Sequence, residues 1–110
     1  MMDVVEYTYF LVRQIPFGKV SSYGAVASAL GDKGYARAVG GFMNRNPDPE
    51  SMPCFKIVCS DGRLGGFGLG IDDKIRRLES EGIEVVNDRI VNFSQVFFDD
   101  FKSKYPLKKK

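Results

Sequence analysis

Val4, Tyr7, Thr8, Leu11 and Ile15 recur at helical spacing, Asp3 stands where an N-cap belongs, and Pro16-Phe17-Gly18 stops the run. Ser21 or Ser22 caps a second, shorter helix over residues 23–30, with Val26, Ala29 and Leu30 inward, and Gly31-Asp32-Lys33-Gly34 makes the turn that follows. A third helix covers about 35–44, with Ala36, Val39 and Met43 inward. Beyond the stiff connector Asn46-Pro47-Asp48-Pro49, residues 52–58 read as a short buried strand and Ser60-Asp61-Gly62-Arg63 as a hairpin-type turn. Gly65 to Gly70 is a glycine-rich loop carrying Phe67; its register fits the nucleotide-binding fingerprint poorly. Asp72 caps a helix ending near Ser80, with Ile75 and Leu78 inward and Gly82 as terminator. Two β-type runs flank Asn87-Asp88 as a small hairpin, and Ser94 caps a last helix over 94–105 bearing Val96, Phe97, Phe98 and Phe101. Pro106 ends that helix, and 106–110 form a basic tail. The pattern predicts one domain over 1–110, mainly α with small β-hairpins, of winged helix-turn-helix type.

Composition narrows the class. At 110 residues the chain supports one core. No apolar run is long enough to span a membrane, and Asp3 and Glu6 interrupt what a signal peptide would need, so the expectation is a cytoplasmic protein, nuclear in a eukaryote. Cys54 and Cys59 lie too close for a disulfide framework, and without any histidine a zinc site is not expected; neither metal nor cofactor is called for. A net charge of +2 leaves the choice of partner open. Arg37, Arg45, Lys74, Arg76 and Arg77 permit phosphate contacts, while the terminal lysines read as a solvated tail.

Candidate chemistry centres on Cys54. A thiol reacts as thiolate and needs a cation, a helix N-terminus or a base to ionise it. On a strand, Lys56 would point to the same side as Cys54. Taken alone, a cysteine in an apolar strand is more often a small core residue, and Cys59 is read that way. Gly40 and Gly41 inside a helix each cost roughly 1 kcal/mol against alanine. Either close packing or close approach of DNA would repay that, and the segment alone favours neither.

The ordered motifs Ile15-Pro16-Phe17-Gly18-Lys19-Val20-Ser21-Ser22-Tyr23-Gly24, Ala36-Arg37-Ala38-Val39-Gly40, Asn46-Pro47, Pro53-Cys54, Gly65-Gly66-Phe67, Lys74 and Glu81-Gly82 resemble the DNA-binding and active-site domain of the O6-alkylguanine-DNA alkyltransferases and their alkyltransferase-like relatives, over about residues 7–85. The resemblance implies minor-groove binding of duplex DNA, flipping of an alkylated guanine, and irreversible transfer of the alkyl group to Cys54. It makes Arg37 the finger that fills the vacated stack and Tyr23 the lever on the 3′ phosphate; alone, these would read as a solvated helix face and a buried aromatic. Ala36, Gly40 and Gly41 become the small-residue groove surface. Asn46 braces the active-site turn, Glu81 is the carboxylate that orients a histidine, and Lys74 shapes the site. Met52, Pro53, Gly66 and Phe67 line the guanine pocket.

Departures accompany the match. Pro53-Cys54-Phe55-Lys56 replaces the family's Pro-Cys-His-Arg, so the base is missing and Glu81 is expected to lack its relay partner. Phe67 stands where tyrosine is common, and Lys56 keeps a charge without arginine's planar fork. No separate N-terminal domain is expected, as in the alkyltransferase-like group, which usually loses the cysteine and keeps the histidine. The leading expectation is a slowed, suicidal methyltransferase acting as a monomer on double-stranded DNA containing O6-alkylguanine. One alternative is a lesion-binding protein that hands the site to a downstream repair protein. Another is a plain winged-helix DNA-binding module, which the joint presence of Tyr23, Arg37, Asn46 and Glu81 disfavours.

Overall fold

The N-terminal apolar periodicity becomes α1 (Val4–Val12), opened by a complete capping box: Glu6 N–H donates to Asp3 Oδ1 at 2.9 Å, and Asp3 N–H donates to Glu6 Oε1 at 3.3 Å. The computed structural model describes residues 3–48, 51–67 and 69–102. Leu11 and Val12 are fully buried, and Ile15 follows them inward. In α2 (Tyr23–Ala29), Ser22 Oγ caps Ala25 N–H at 3.0 Å. Its buried stripe is Val26 and Ala27 with Leu30 just beyond; Ala29, expected inward, sits half-buried at the edge. One 3₁₀ turn, Lys33–Tyr35, leads into α3 (Ala36–Asn44). There Val39 and Met43 are buried as expected, Phe42 joins them, and Ala36 is only half-buried.

The expected strand over 52–58 survives only as β2 (Ile57–Val58), which pairs in parallel with β1 (Ser21–Ser22). Ahead of it the chain coils. Pro53, at φ −79° and ψ 64°, centres an inverse γ-turn in which Cys54 N–H donates to Met52 O at 2.8 Å. Residues Cys54–Lys56 then form a 3₁₀ turn. Proline cannot donate to a ladder, and the tight turn it starts consumes the neighbouring amides instead. The Asp61-Gly62 turn closes, with Gly62 at φ +93°, but β2 has already found β1, so no second strand follows from it.

Helix α4 (Ile71–Ser80) starts two residues earlier than expected. Gly70, at φ +100°, precedes it, and Asp72 lies within the first turn instead of capping. The Asn87-Asp88 hairpin forms as predicted between β3 (Val85–Val86) and β4 (Arg89–Ile90), both turn residues being left-handed at φ 51° and 65°. The predicted last helix is cut to one turn, α5 (Phe93–Val96). From Phe97 the chain is extended because the Val20 backbone claims it: Val20 N–H donates to Val96 O at 2.8 Å, and Phe98 N–H to Val20 O at 2.7 Å. Residues 103–110, with the rest of that expected helix and the basic tail, lie outside the described residues.

Two apolar clusters result. One joins α1, α2 and α3 with Met52, Cys54 and Ile57. The other gathers Val20, Phe55, Val58, Leu64, Leu78, Ile83 and Ile90. Cys54 and Phe55, adjacent in sequence, face different clusters, and Phe67 packs against both. The fold is mostly helical with two small sheets, and among the described residues no helix is long and apolar enough to cross a membrane.

Candidate active site and DNA-facing surface

Cys54 opens the 3₁₀ turn at 6% exposure. Its sulfur accepts a hydrogen bond from Asn46 Nδ2 at 3.3 Å, and the same nitrogen donates to Met52 O at 3.0 Å. Asn46 Oδ1 in turn accepts from Asp48 N–H at 2.9 Å. One amide therefore fastens the exit of α3 to the turn that presents the thiol. This links the helix pair to the nucleophile mechanically.

Lys56 does not lie beside the thiol. The 3₁₀ turn rotates it away from where a strand would have aimed it, and the residue is 2% exposed. Nζ reaches Glu81 Oε1 at 2.8 Å, Pro16 O at 2.7 Å and Ile15 O at 3.3 Å. Glu81 Oε1 also accepts from Gly18 N–H at 2.9 Å. Glu81, half-buried and, as expected, with no histidine to relay to, is instead held by the buried Lys56 in an ion pair that pins the loop after α1 to the end of α4. Both charges are satisfied, which is the condition under which burying them is tolerable.

Lys74 is fully buried and donates to Ile57 O at 2.7 Å, Leu64 O at 2.5 Å and Gly66 O at 3.0 Å. An ammonium has three N–H groups, and here all three are used. Desolvation pulls its pKa from 10.5 to about 8, against the opposing pull of the Cys59 and Cys54 thiols and of Asp88. The bonds fix the glycine loop over β2, leaving Gly66 exposed and open: a Cβ there would meet nothing within 4 Å. Phe67 is half-buried, with the Arg77 guanidinium 5.9 Å from its ring centre. Met52 is buried and Pro53 half-buried next to Cys54.

On the helix pair, Tyr23 is half-buried, and burial raises its pKa, with smaller pushes from the Cys59 and Cys54 thiols. A Cβ on Gly65, which is left-handed at φ +71°, would lie 3.3 Å from the Tyr23 hydroxyl and 3.4 Å from Cys59 Sγ. Cys59 is therefore half-buried at this junction and not the core residue that was expected. Arg37 is exposed on α3. The two helical glycines answer the question left open by sequence. A Cβ on Gly40 would rest 3.8 Å from the Tyr23 ring, an ordinary contact, and one on Gly41 would meet only the flexible end of Arg45 at 3.3 Å. Packing inside the protein requires neither glycine.

Sequence reasoning missed two elements. The Lys56–Glu81 pair follows from a turn hidden inside an apolar run, and its only signal was a lysine where the pattern wanted an apolar residue. The Tyr9 hydroxyl donates to Phe42 O at 2.9 Å and braces α1 against the end of α3, a contact with no local signal at all.

Against known proteins, the DNA-binding domain pattern of 6-O-methylguanine DNA methyltransferase matches residues 4–83. A bifunctional methyltransferase/endonuclease of Picrophilus torridus is 51% identical over 108 residues, 98% of this chain and 36% of that protein. The chain thus spans about a third of that relative's length. A DNA base-flipping protein of Vibrio parahaemolyticus is 40% identical over 77 residues, 70% of this chain and 77% of that one. Among solved structures, S. pombe Atl1 in complex with damaged DNA containing O6-carboxymethylguanine superposes with a TM-score of 0.78 at 29% identity, covering 88% of this chain and 98% of the other.

Proposed function

Because the chain belongs to the 6-O-methylguanine DNA methyltransferase family, we propose that it binds duplex DNA through α2 and α3, takes an O6-alkylated guanine out of the stack, and accepts the alkyl group on Cys54. The observation that carries this reading is the Asn46 amide, which joins the end of α3 to the Cys54 sulfur. The helix pair enters the minor groove, where Gly40 and Gly41 let the phosphates approach. This gives the two glycines the reason that the protein's own packing does not supply. Arg37, exposed on α3, fills the space the base leaves; Tyr23, a half-buried phenol, crowds the adjoining phosphate.

In the transfer step, the Cys54 sulfur attacks the alkyl carbon as a thiolate. The S–C bond forms, the C–O6 bond breaks, and the electron pair goes to the guanine anion, which re-forms its C=O6 bond and takes up a proton at N1. The resulting thioether is permanent, so each molecule acts once. Asn46 Nδ2–H donates to the sulfur and so favours the thiolate form that attacks. A general base contributes typically about 10² to 10⁴-fold. With phenylalanine at position 55 and Glu81 paired to Lys56, that contribution is absent, and transfer is correspondingly slow. The protein acts inside the cell as a monomer and needs no cofactor, the thiol itself being the acceptor.

A second reading has its own support. Atl1 shares the fold along nearly its whole length, and the Picrophilus relative joins a methyltransferase name to an endonuclease name. In that reading the chain holds the flipped base without reacting, and a nuclease acts on the marked DNA. Intact mass after incubation with a duplex containing O6-methylguanine separates the two. One added methylene, lost in Cys54→Ser, means transfer; unchanged mass with tight lesion-selective binding means recognition alone. Unchanged mass and no selectivity would defeat both.

A further inference from the structure

A pocket of about 520 Å³ is lined in part by α2, and Cys54 is not among its lining residues. Its lining brings Ser28 and Lys33 together with Phe93, Phe97 and Phe101. Ser60 joins them; its Oγ would sit 3.3 Å from a Cβ on Gly24. The volume falls within the roughly 300–1,000 Å³ of small-molecule sites. All three phenylalanines are half-buried, so each leaves part of its ring toward the pocket, and the Phe93 and Phe97 rings stand 5.3 Å apart, tilted by 56°. These rings come from beyond residue 83, where the family match ends, so the pocket is a joint product of the family core and the segment after it.

Its chemistry has three parts. Half-exposed aromatic rings stack planar heterocycles. A lysine with serine hydroxyls receives a phosphate. Asp99, also on the lining, accepts from an exocyclic amino group or ring N–H. One ligand class presents all three features on one unit: a nucleotide whose base carries an amino group. The pocket wall includes Gly24, the residue directly after Tyr23, so it opens beside the proposed phosphate contact. Resting on the DNA-binding reading above, we propose that this pocket holds one unpaired nucleotide of the bound DNA. Its base lies on the phenylalanines and its phosphate on Lys33. Only an unpaired base fits, because a paired one has neither its face nor its amino edge free.

The test uses the full chain with a blunt duplex containing O6-methylguanine, the same duplex with a single-stranded adenine overhang, and an overhang carrying 2-aminopurine. The expected result is tighter binding of the overhung duplex and a change in 2-aminopurine fluorescence on binding. Base stacking and one phosphate contact together predict that Lys33→Ala and Phe97→Leu each weaken overhang binding by about 5- to 10-fold. Both should leave the blunt lesion duplex within about 2-fold, and Lys33→Ala should lower the salt slope by about one. Lys33 is exposed, so its variant stays informative even if Phe97→Leu misfolds. Equal affinity for blunt and overhung duplexes, with unchanged fluorescence, would overturn the assignment. Loss of all lesion preference with the 2-aminopurine response intact would sink the lesion reading and leave the pocket standing.

Discussion

At the scale of single residues, the site replaces a histidine relay with a closed ion pair. Glu81 is occupied by Lys56 and Gly18, so restoring histidine at position 55 should not restore a base. Phe55 is buried in the second cluster, and an imidazole there would have no carboxylate to turn toward. Phe55→His is therefore expected to speed transfer by far less than the usual 10² to 10⁴-fold of a general base, as single-turnover rates would show. Lys56→Met should destabilise the fold by about 1–3 kcal/mol in urea titrations, because the half-buried Glu81 carboxylate then loses its cation; adding Glu81→Leu should recover much of that loss. Lys74 carries a pH signature. Its pKa is lowered in the folded state, so between pH of about 8 and 10.5 the unfolded chain binds more protons and this group's contribution to stability rises with pH. Tyr23, raised by burial, opposes that only above pH 10. Urea midpoints at pH 7.5 and 9.5 in wild type and Lys74→Met should differ in slope by this term. Cys54, Asn46, Lys74 and Glu81 were all legible in the chain as candidates. Their partners were not, because Lys56 depends on the direction of a turn that only Pro53 hinted at.

At the scale of elements, the helix pair illustrates a conflict between stability and binding. Glycine within a helix costs about 0.5–1 kcal/mol relative to alanine, and the surroundings of Gly40 and Gly41 admit a methyl group. Alanine at either position is expected to raise the denaturation midpoint while weakening affinity for lesion DNA, measured side by side on the same preparations. If DNA affinity were unchanged, the minor-groove assignment of α3 would fail. The helices and the Asn87-Asp88 hairpin could be read from periodicity, caps and turn residues. The C-terminal phenylalanines could not, since Phe97, Phe98 and Phe101 also satisfy helical spacing. What straightens them is pairing with the Val20 backbone, far away in sequence. Two-residue strands such as β1 and β2 are likewise too short to leave a pattern of their own.

At the scale of the whole molecule, the two apolar clusters meet where Cys54 and Phe55 part, and Phe67 touches both. The proposed acceptor is thus a member of the core as well as a reagent: Cys54 is 6% exposed and packed among buried aliphatic and aromatic side chains. A methyl group added to its sulfur adds volume beside those side chains, and inserting carbon into a packed interior typically costs about 1–3 kcal/mol. For a domain of this size each kcal/mol lowers the melting temperature by roughly 4–8 °C. Spent molecules should therefore melt earlier and be cut faster by a protease than fresh ones, so that a chain able to react once also carries a mark of having done so in its own lifetime.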